Sequence, residues 1–149
     1  MADVLHEVGF QASREDLYTA LTTTAGLRSW WSEHSEIGSG VGAQGSVSFY
    51  NNMVTFLLQV TELEPASKVV WAVEDGPPDW ANTVITWTIF TAETPFGPQT
   101  TLHLAHSGFE STGGNFASVN YNWGWYMTSL KFYLEKGEGM PHTDADMPG

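Results

Sequence analysis

Residues 115–136, NFASVNYNWGWYMTSLKFYLEK, decide the fold of this chain. Phe116, Val119, Trp123, Met127, Leu130 and Leu134 recur at steps of three and four residues, the apolar stripe of one long helix. Gly137-Glu138-Gly139-Met140-Pro141 stops that helix, and residues 142–149 read as a flexible tail. A stripe of this length must cover a broad apolar surface, and the residues before it supply one.

Working backward, Thr100 to Ser107 reads as a strand with Leu102, Leu104 and His106 inward and Thr101 and His103 outward. Thr83 to Ala92 alternates in the same way, with Ile85, Trp87 and Ile89 on one side and Thr86 and Thr88 on the other. Lys68 to Glu74, Met53 to Leu63 and Ser46 to Tyr50 are further strand-like runs, and Val54, Phe56, Leu58 and Val60 share one face. The turns between them are short: Asn51-Asn52, Pro65-Ala66-Ser67, Asp75-Gly76-Pro77-Pro78-Asp79 and Thr94-Pro95-Phe96-Gly97-Pro98. Short turns imply an antiparallel meander. Ile37 to Gly45 is glycine-rich and reads as a loop or an edge strand.

At the other end, Val4, His6, Val8 and Phe10 alternate with Leu5, Glu7 and Gly9 as a first strand. Ser13 can cap a helix whose first turn holds Glu15 and Asp16, where the helix dipole favours acid. Thr22 to Gly26 interrupts, and Leu27 to Trp31 reads as a second short helix. The order is strand, two helices, about six further strands, long helix. This predicts an α+β fold in a single domain over 1–141, with a curved antiparallel sheet of about six to seven strands wrapped around the last helix.

The chain has 149 residues and no cysteine, which excludes a disulfide scaffold, a cysteine nucleophile and a thiolate metal site. Its 17 acidic and 5 basic residues give a net charge of −12, a surface that repels nucleic-acid phosphates and anionic lipid headgroups. No stretch approaches the ~20 apolar residues of a membrane helix, and the N-terminus carries no targeting pattern, so the expected location is the cytoplasm. Seven Trp, eight Phe and five Tyr make up 13% of the chain. Rings in that number either fill a core or line a pocket for apolar ligands.

Several segments together resemble a known family. Leu17-Tyr18-Thr19-Ala20-Leu21-Thr22 and Gly26-Leu27-Arg28-Ser29-Trp30-Trp31 resemble its first helix pair. Leu104-Ala105-His106-Ser107-Gly108-Phe109 resembles its last strand. Trp123, Tyr126-Met127, Ser129-Leu130-Lys131, Tyr133-Leu134-Glu135 and Gly137 to Pro141 resemble its last helix and tail. The family is the START-like superfamily of helix-grip proteins, also called SRPBCC or pollen-allergen-like. The resemblance is to the branch named after the activator of the heat-shock-protein-90 ATPase. It departs at one point: Asn122 stands where the branch usually has Gly, and Gly124 follows Trp123. The co-chaperones that gave the branch its name join this domain to another, so their role does not transfer with the fold.

The resemblance implies an apolar cavity between sheet and last helix, of the sort that holds lipid- or polyketide-like ligands in the superfamily. Period and resemblance together nominate Trp31, Phe49, Phe56, Trp71, Trp87, Leu104, Phe109, Trp123, Tyr126, Met127 and Leu130 as its walls. The competing expectation is that these rings simply fill the space. His106 is the inward polar candidate, against a purely structural histidine bonded to backbone near Ser107-Gly108.

His103 and His106 point to opposite faces of their strand, His34 follows the Trp pair, and His142 falls in the tail. No three ligands converge, so no metal site is expected. Glu7 lies on the face of its strand opposite Val8, and Glu74, Asp75 and Asp79 crowd a loop where carboxylates stay solvated. There is no G-x-S-x-G elbow, and Gly38, Gly40 and Gly42 lack the flanking strand and helix of a phosphate loop.

The leading expectation is a cofactor-free protein that binds a small apolar ligand. An enzyme of cyclase, dehydratase or hydrolase type is the first rival. It requires His106 or Glu7 to face a roomy pocket. A chaperone-ATPase-activating interaction module is the second, and it requires an exposed patch. A second copy of the chain and a chaperone both stay open as partners.

Overall fold

Seven strands and three helices follow one another in a computed structural model that describes residues 1–77 and 79–145. They are β1 (Ala2–Phe10), α1 (Arg14–Thr22), α2 (Thr24–Trp30), β2 (His34–Ile37), β3 (Gln44–Phe49), β4 (Val54–Glu64), β5 (Lys68–Asp75), β6 (Val84–Thr94), β7 (Gly97–Phe109) and α3 (Phe116–Lys136). Pro78, in the loop expected at 75–79, and the tail residues 146–149 lie outside the described residues.

The strands form one antiparallel sheet in the order β1-β7-β6-β5-β4-β3-β2. This is the meander that the short turns predicted, with β1 returned to the far edge beside β7. The turn between β3 and β4 places Tyr50, Asn51 and Asn52 at positive φ, a conformation Asn tolerates well. The β4–β5 pairing slips at Leu57/Leu58 and at Val60/Glu62. Bulges of this kind bend a strand and increase its twist, which helps the sheet curve around a helix.

The capping chemistry is as the sequence implies. Ser13 Oγ accepts from Asp16 N at the start of α1, and Gly137 closes α3 at φ 82° with its N–H on Tyr133 O. α3 buries Val119, Trp123, Met127 and Leu130 of the expected stripe, while Phe116 and Leu134 at its two ends are half-buried. Gly124 faces His6 on β1, where a Cβ would lie 3.6 Å from the imidazole, at ordinary contact distance.

Four expectations are corrected. The break between the first helices is Thr23 alone, whose Oγ1 accepts from Gly26 N, so α2 starts at Thr24 rather than Leu27. The glycine-rich stretch is preceded by a short edge strand, β2, that ends at Ile37; Thr24 Oγ1 accepts from Ile37 N and holds that end. Thr101, expected outward and wet, is 5% exposed, because its hydroxyl turns to Gln99 O and the Gln99 side chain lies over Gly9 beside it. The tail does not begin loose at 142. His142 is buried, its N–H donates to Trp31 O, its carbonyl accepts from Glu33 N, and its Nε2 accepts from Tyr50 N–H.

Candidate functional site

The centre of the fold is a cluster of indoles. Trp30 and Trp31 stack at 5.6 Å, and Trp31 stacks on Trp71 at 5.8 Å. Trp87 meets Trp30, Trp71 and Trp123 edge-on, at 5.9, 5.4 and 5.5 Å. Adjacent residues at the end of α2 and alternate residues on β5 and β6 bring these rings together from three directions. Trp30 Nε1 is anchored on Ala20 O. The indole nitrogens of Trp71 and Trp87 have no hydrogen-bond partner among the described residues.

His106 stands beside this cluster with no solvent exposure. An indole N–H can only donate, so the bond from Trp123 Nε1 to His106 Nδ1, 3.0 Å long, places the imidazole proton on Nε2. That proton goes to Thr83 Oγ1 at 2.8 Å, and the Thr83 hydroxyl donates onward to Trp80 O. Both ring nitrogens are therefore engaged. Burial pushes the imidazole down to about 3 from its ordinary 6.5, so the ring is neutral near pH 7. Its partners are the side chains of Trp123 and Thr83, not the backbone at Ser107-Gly108 that the competing expectation named.

A pocket of about 260 Å³ opens beside the cluster. Its inner wall is Trp31, Phe49, Phe56, Trp80 and Trp123, and Tyr50, Val54, Pro77, Val119 and Tyr126 surround them. Asn115, Ser118 and Asn122, all exposed, form the rim along the first turns of α3. The Trp80 ring lies 4.0 Å from Phe56 and 4.4 Å from His106, so it separates the imidazole from the pocket. Below the rim, Asp79 Oδ2 accepts from Asn115 N at the start of α3.

Of the expected wall residues, Trp31, Phe49, Phe56, Trp123 and Tyr126 line this pocket. Trp71, Trp87, Leu104, Phe109, Met127 and Leu130 are buried but do not line it. They are the packed interior behind it. The α3 ring that meets Trp87 is Trp123, and Tyr126 packs on Phe49 at 6.2 Å. Tyr50, Val54, Pro77, Trp80, Val119 and the three rim residues were missed as lining. Trp80 sits in an irregular loop with no periodicity to expose it, and the only signal was the cost of leaving so large a ring in water.

The groups on which a catalytic reading depended lie elsewhere. Glu7 is exposed on the outer face, 3.4 Å from His103 Nδ1. His34 does not line the pocket. Its Nε2 lies 2.7 Å from Asp144 Oδ1 and 3.6 Å from Glu33 Oε1. This corrects the expectation that no three ligand groups converge. The signal was hidden because Asp144 is 110 residues away from His34 and reaches it through the docked His142. All three are partly or fully exposed, and His34 Nε2 and Asp144 Oδ1 stand at hydrogen-bond distance. A wider hollow of about 510 Å³ lies over β2, β3 and β4, but Glu36, Gln44, Ser46 and Glu74 give it a mixed and partly acidic lining.

Comparison with known proteins follows the same outline. The solution structure of the Aha1 dimer from Colwellia psychrerythraea is 34% identical, with a TM-score of 0.79, over 93% of this chain and 100% of that one. A Mesorhizobium loti protein superimposes with a TM-score of 0.76 at 20% identity, over 92% of this chain and 99% of its own. A Staphylococcus saprophyticus protein does so with a TM-score of 0.75 at 15% identity, over 95% and 98%. At those two identities the likeness is one of fold. No curated protein matches the chain. The family model described as activator of Hsp90 ATPase homolog 1-like protein matches residues 11–135. With that match over most of its length, and with the helix-grip architecture of its structural relatives, the chain belongs to the family of activator of Hsp90 ATPase homologue 1-like proteins.

Proposed function

We propose that the protein binds a small hydrophobic or aromatic ligand in the pocket between α3 and the β3–β4 end of the sheet. The observation that carries this reading is the pocket's lining, in which seven of thirteen residues are Trp, Phe or Tyr. Such walls with a few polar groups at one side suit an apolar ligand that must be oriented. At about 260 Å³ the space is below the ~300–1,000 Å³ typical of drug-sized ligands, so it favours a molecule of two or three fused rings over a complete lipid. Catalysis has weaker support, because His106 and Glu7 both lie off the pocket.

The test is titration with the uncharged fluorophore N-phenyl-1-naphthylamine. Wild type should enhance its emission and gain thermal stability as ligand binds the native state. Ser118→Trp, which blocks the rim from an exposed position, should abolish the enhancement while leaving the fold intact. No enhancement with wild type up to the probe's solubility would overturn the reading.

We further propose that the chain pairs with a second copy of itself and resides in the cytoplasm. A relative 34% identical to it is described as a dimer, and α3 exposes Tyr121 and Trp125, one turn apart, at 70% and 47%. Paired apolar side chains on one helix face favour an interface. Light scattering on wild type and Trp125→Glu checks the assembly, and cell fractionation checks the location. A chaperone-ATPase-activating role would use an exposed face of this kind. Stimulation of a heat-shock-protein-90 ATPase that is lost in Trp125→Glu would favour that role over ligand binding.

A further inference from the structure

The charge around the pocket narrows what can enter it. None of its thirteen lining residues is charged. The chain has only five Lys and Arg residues, and each is committed elsewhere. Arg14 bonds Ala66 O and Ser67; Arg28 bonds Ser35 O and pairs with Glu36; Lys68 pairs with Glu62. Lys131 pairs with Glu135, and Lys136 lies over Phe132. His106, the imidazole beside the pocket, is neutral with both nitrogens engaged and is screened by Trp80.

One feature at the rim would ordinarily attract an anion: the N-terminus of α3, whose free N–H groups carry partial positive charge. Here it already holds one. Asp79 Oδ2 accepts from Asn115 N at 2.9 Å, so a carboxylate of the protein occupies that position. The net charge of −12 adds a repulsive field that reaches about 8 Å at physiological salt. What remains at the rim is neutral and two-sided in hydrogen bonding. The Asn122 amide both donates and accepts, and so does the Ser118 hydroxyl.

We propose, building on the ligand-binding reading above, that the pocket selects uncharged aromatic molecules bearing a hydroxyl or carbonyl edge and rejects carboxylates and sulfonates of the same shape. The rings stack against Trp80 and Trp123, and the polar edge meets Asn122 and Ser118. An anion in the same place loses water and gains no cation in return.

The experiment compares 2-naphthol with 2-naphthoate at pH 7, reading quenching of the pocket tryptophans in wild type and in Asn122→Lys. Wild type should bind 2-naphthol at least about tenfold more tightly than 2-naphthoate, since each tenfold corresponds to about 1.4 kcal/mol and removing water from an unpaired ion costs more. Asn122→Lys, a change at an exposed position checked for folding by circular dichroism, should narrow or reverse that ratio. Equal or tighter binding of 2-naphthoate by wild type would overturn the selectivity and leave ligand binding standing. An unchanged ratio in folded Asn122→Lys would also overturn it, because charge at the rim would then not set the preference. Binding of neither probe would sink the ligand-binding reading and the selectivity with it.

Discussion

The indole N–H of Trp123 donates to Nδ1 of His106 across the interface between α3 and β7, at 3.0 Å. Protonating His106 would set a second N–H against that donor, and burial already holds the ring's pKa at about 3, below its ordinary 6.5. The folded state therefore favours neutral His106, and the unfolded chain binds the extra proton. This contribution to stability is complete above pH 6.5 and is lost progressively as pH falls from 6.5 toward 3. The slope is at most about 1.4 kcal/mol per pH unit for one such group. Urea unfolding at pH 7 and pH 5 should show wild type losing about 2 kcal/mol more than His106→Gln. Equal losses in the two proteins would mean that His106 titrates normally.

Two buried tryptophans, Trp87 and Trp123, should respond differently to the same substitution. Trp87→Phe removes an N–H that has no partner among the described residues, so its cost is confined to packing. Trp123→Phe leaves His106 Nδ1 buried without a donor. The second change should cost about 1–3 kcal/mol more than the first. The alanine variants should converge instead at about 3–5 kcal/mol each, because loss of ring volume then dominates. Denaturant midpoints of the four variants provide the comparison.

How far the sequence reached follows from what periodicity can carry. The stripe Val119, Trp123, Met127 and Leu130 and the alternation Ile85, Trp87 and Ile89 were legible, because a period of 3.6 or 2 identifies the buried face. Period does not say whether the space opposite a buried side chain is empty. Trp71 and Trp87 were therefore assigned to a pocket when they fill the interior behind it. Trp80 belongs to no periodic element, and only tertiary packing against Phe56 reveals its place. β2 was hard to see because it has four residues before a glycine-rich turn. The docking of His142 depends on backbone bonds to Trp31 and Glu33 that no local pattern encodes.

That docking is itself testable. A chain ending at Pro141 would lose both backbone bonds at residue 142 and leave Tyr50 N without its imidazole acceptor. The truncation should lower stability by about 1–3 kcal/mol, and His142→Ala should account for part of the loss. Because Phe49 and Tyr50 line the pocket and pack on His142 at 5.2 and 4.6 Å, the truncated protein should also bind uncharged aromatic probes more weakly. Unchanged urea midpoint and probe affinity would mean that the segment beyond Pro141 is loose in solution.

The corner between α1 and α2 offers the most local test. A Cβ at Gly26 would lie 2.5 Å from Ala20 O and 2.7 Å from Ala20 Cα, both backbone atoms that cannot swing aside. Ala20 O is also the acceptor for Trp30 Nε1 at 2.9 Å. Gly26→Ala must therefore displace the carbonyl that fixes Trp30, and Trp30 stacks on Trp31, a wall of the pocket. Overpacking of this kind costs about 1–3 kcal/mol, and the displacement should reach the pocket through that stack. Gly26→Ala should lower the melting temperature and weaken the binding of uncharged aromatic probes together. Ala25→Ser, at the exposed neighbouring position, should do neither. A Gly26→Ala protein that melts like wild type would show that the two helices do not meet as closely as the corner requires. A loss of stability with full probe affinity would show that the Trp30–Trp31 stack absorbs the displacement before it reaches the pocket.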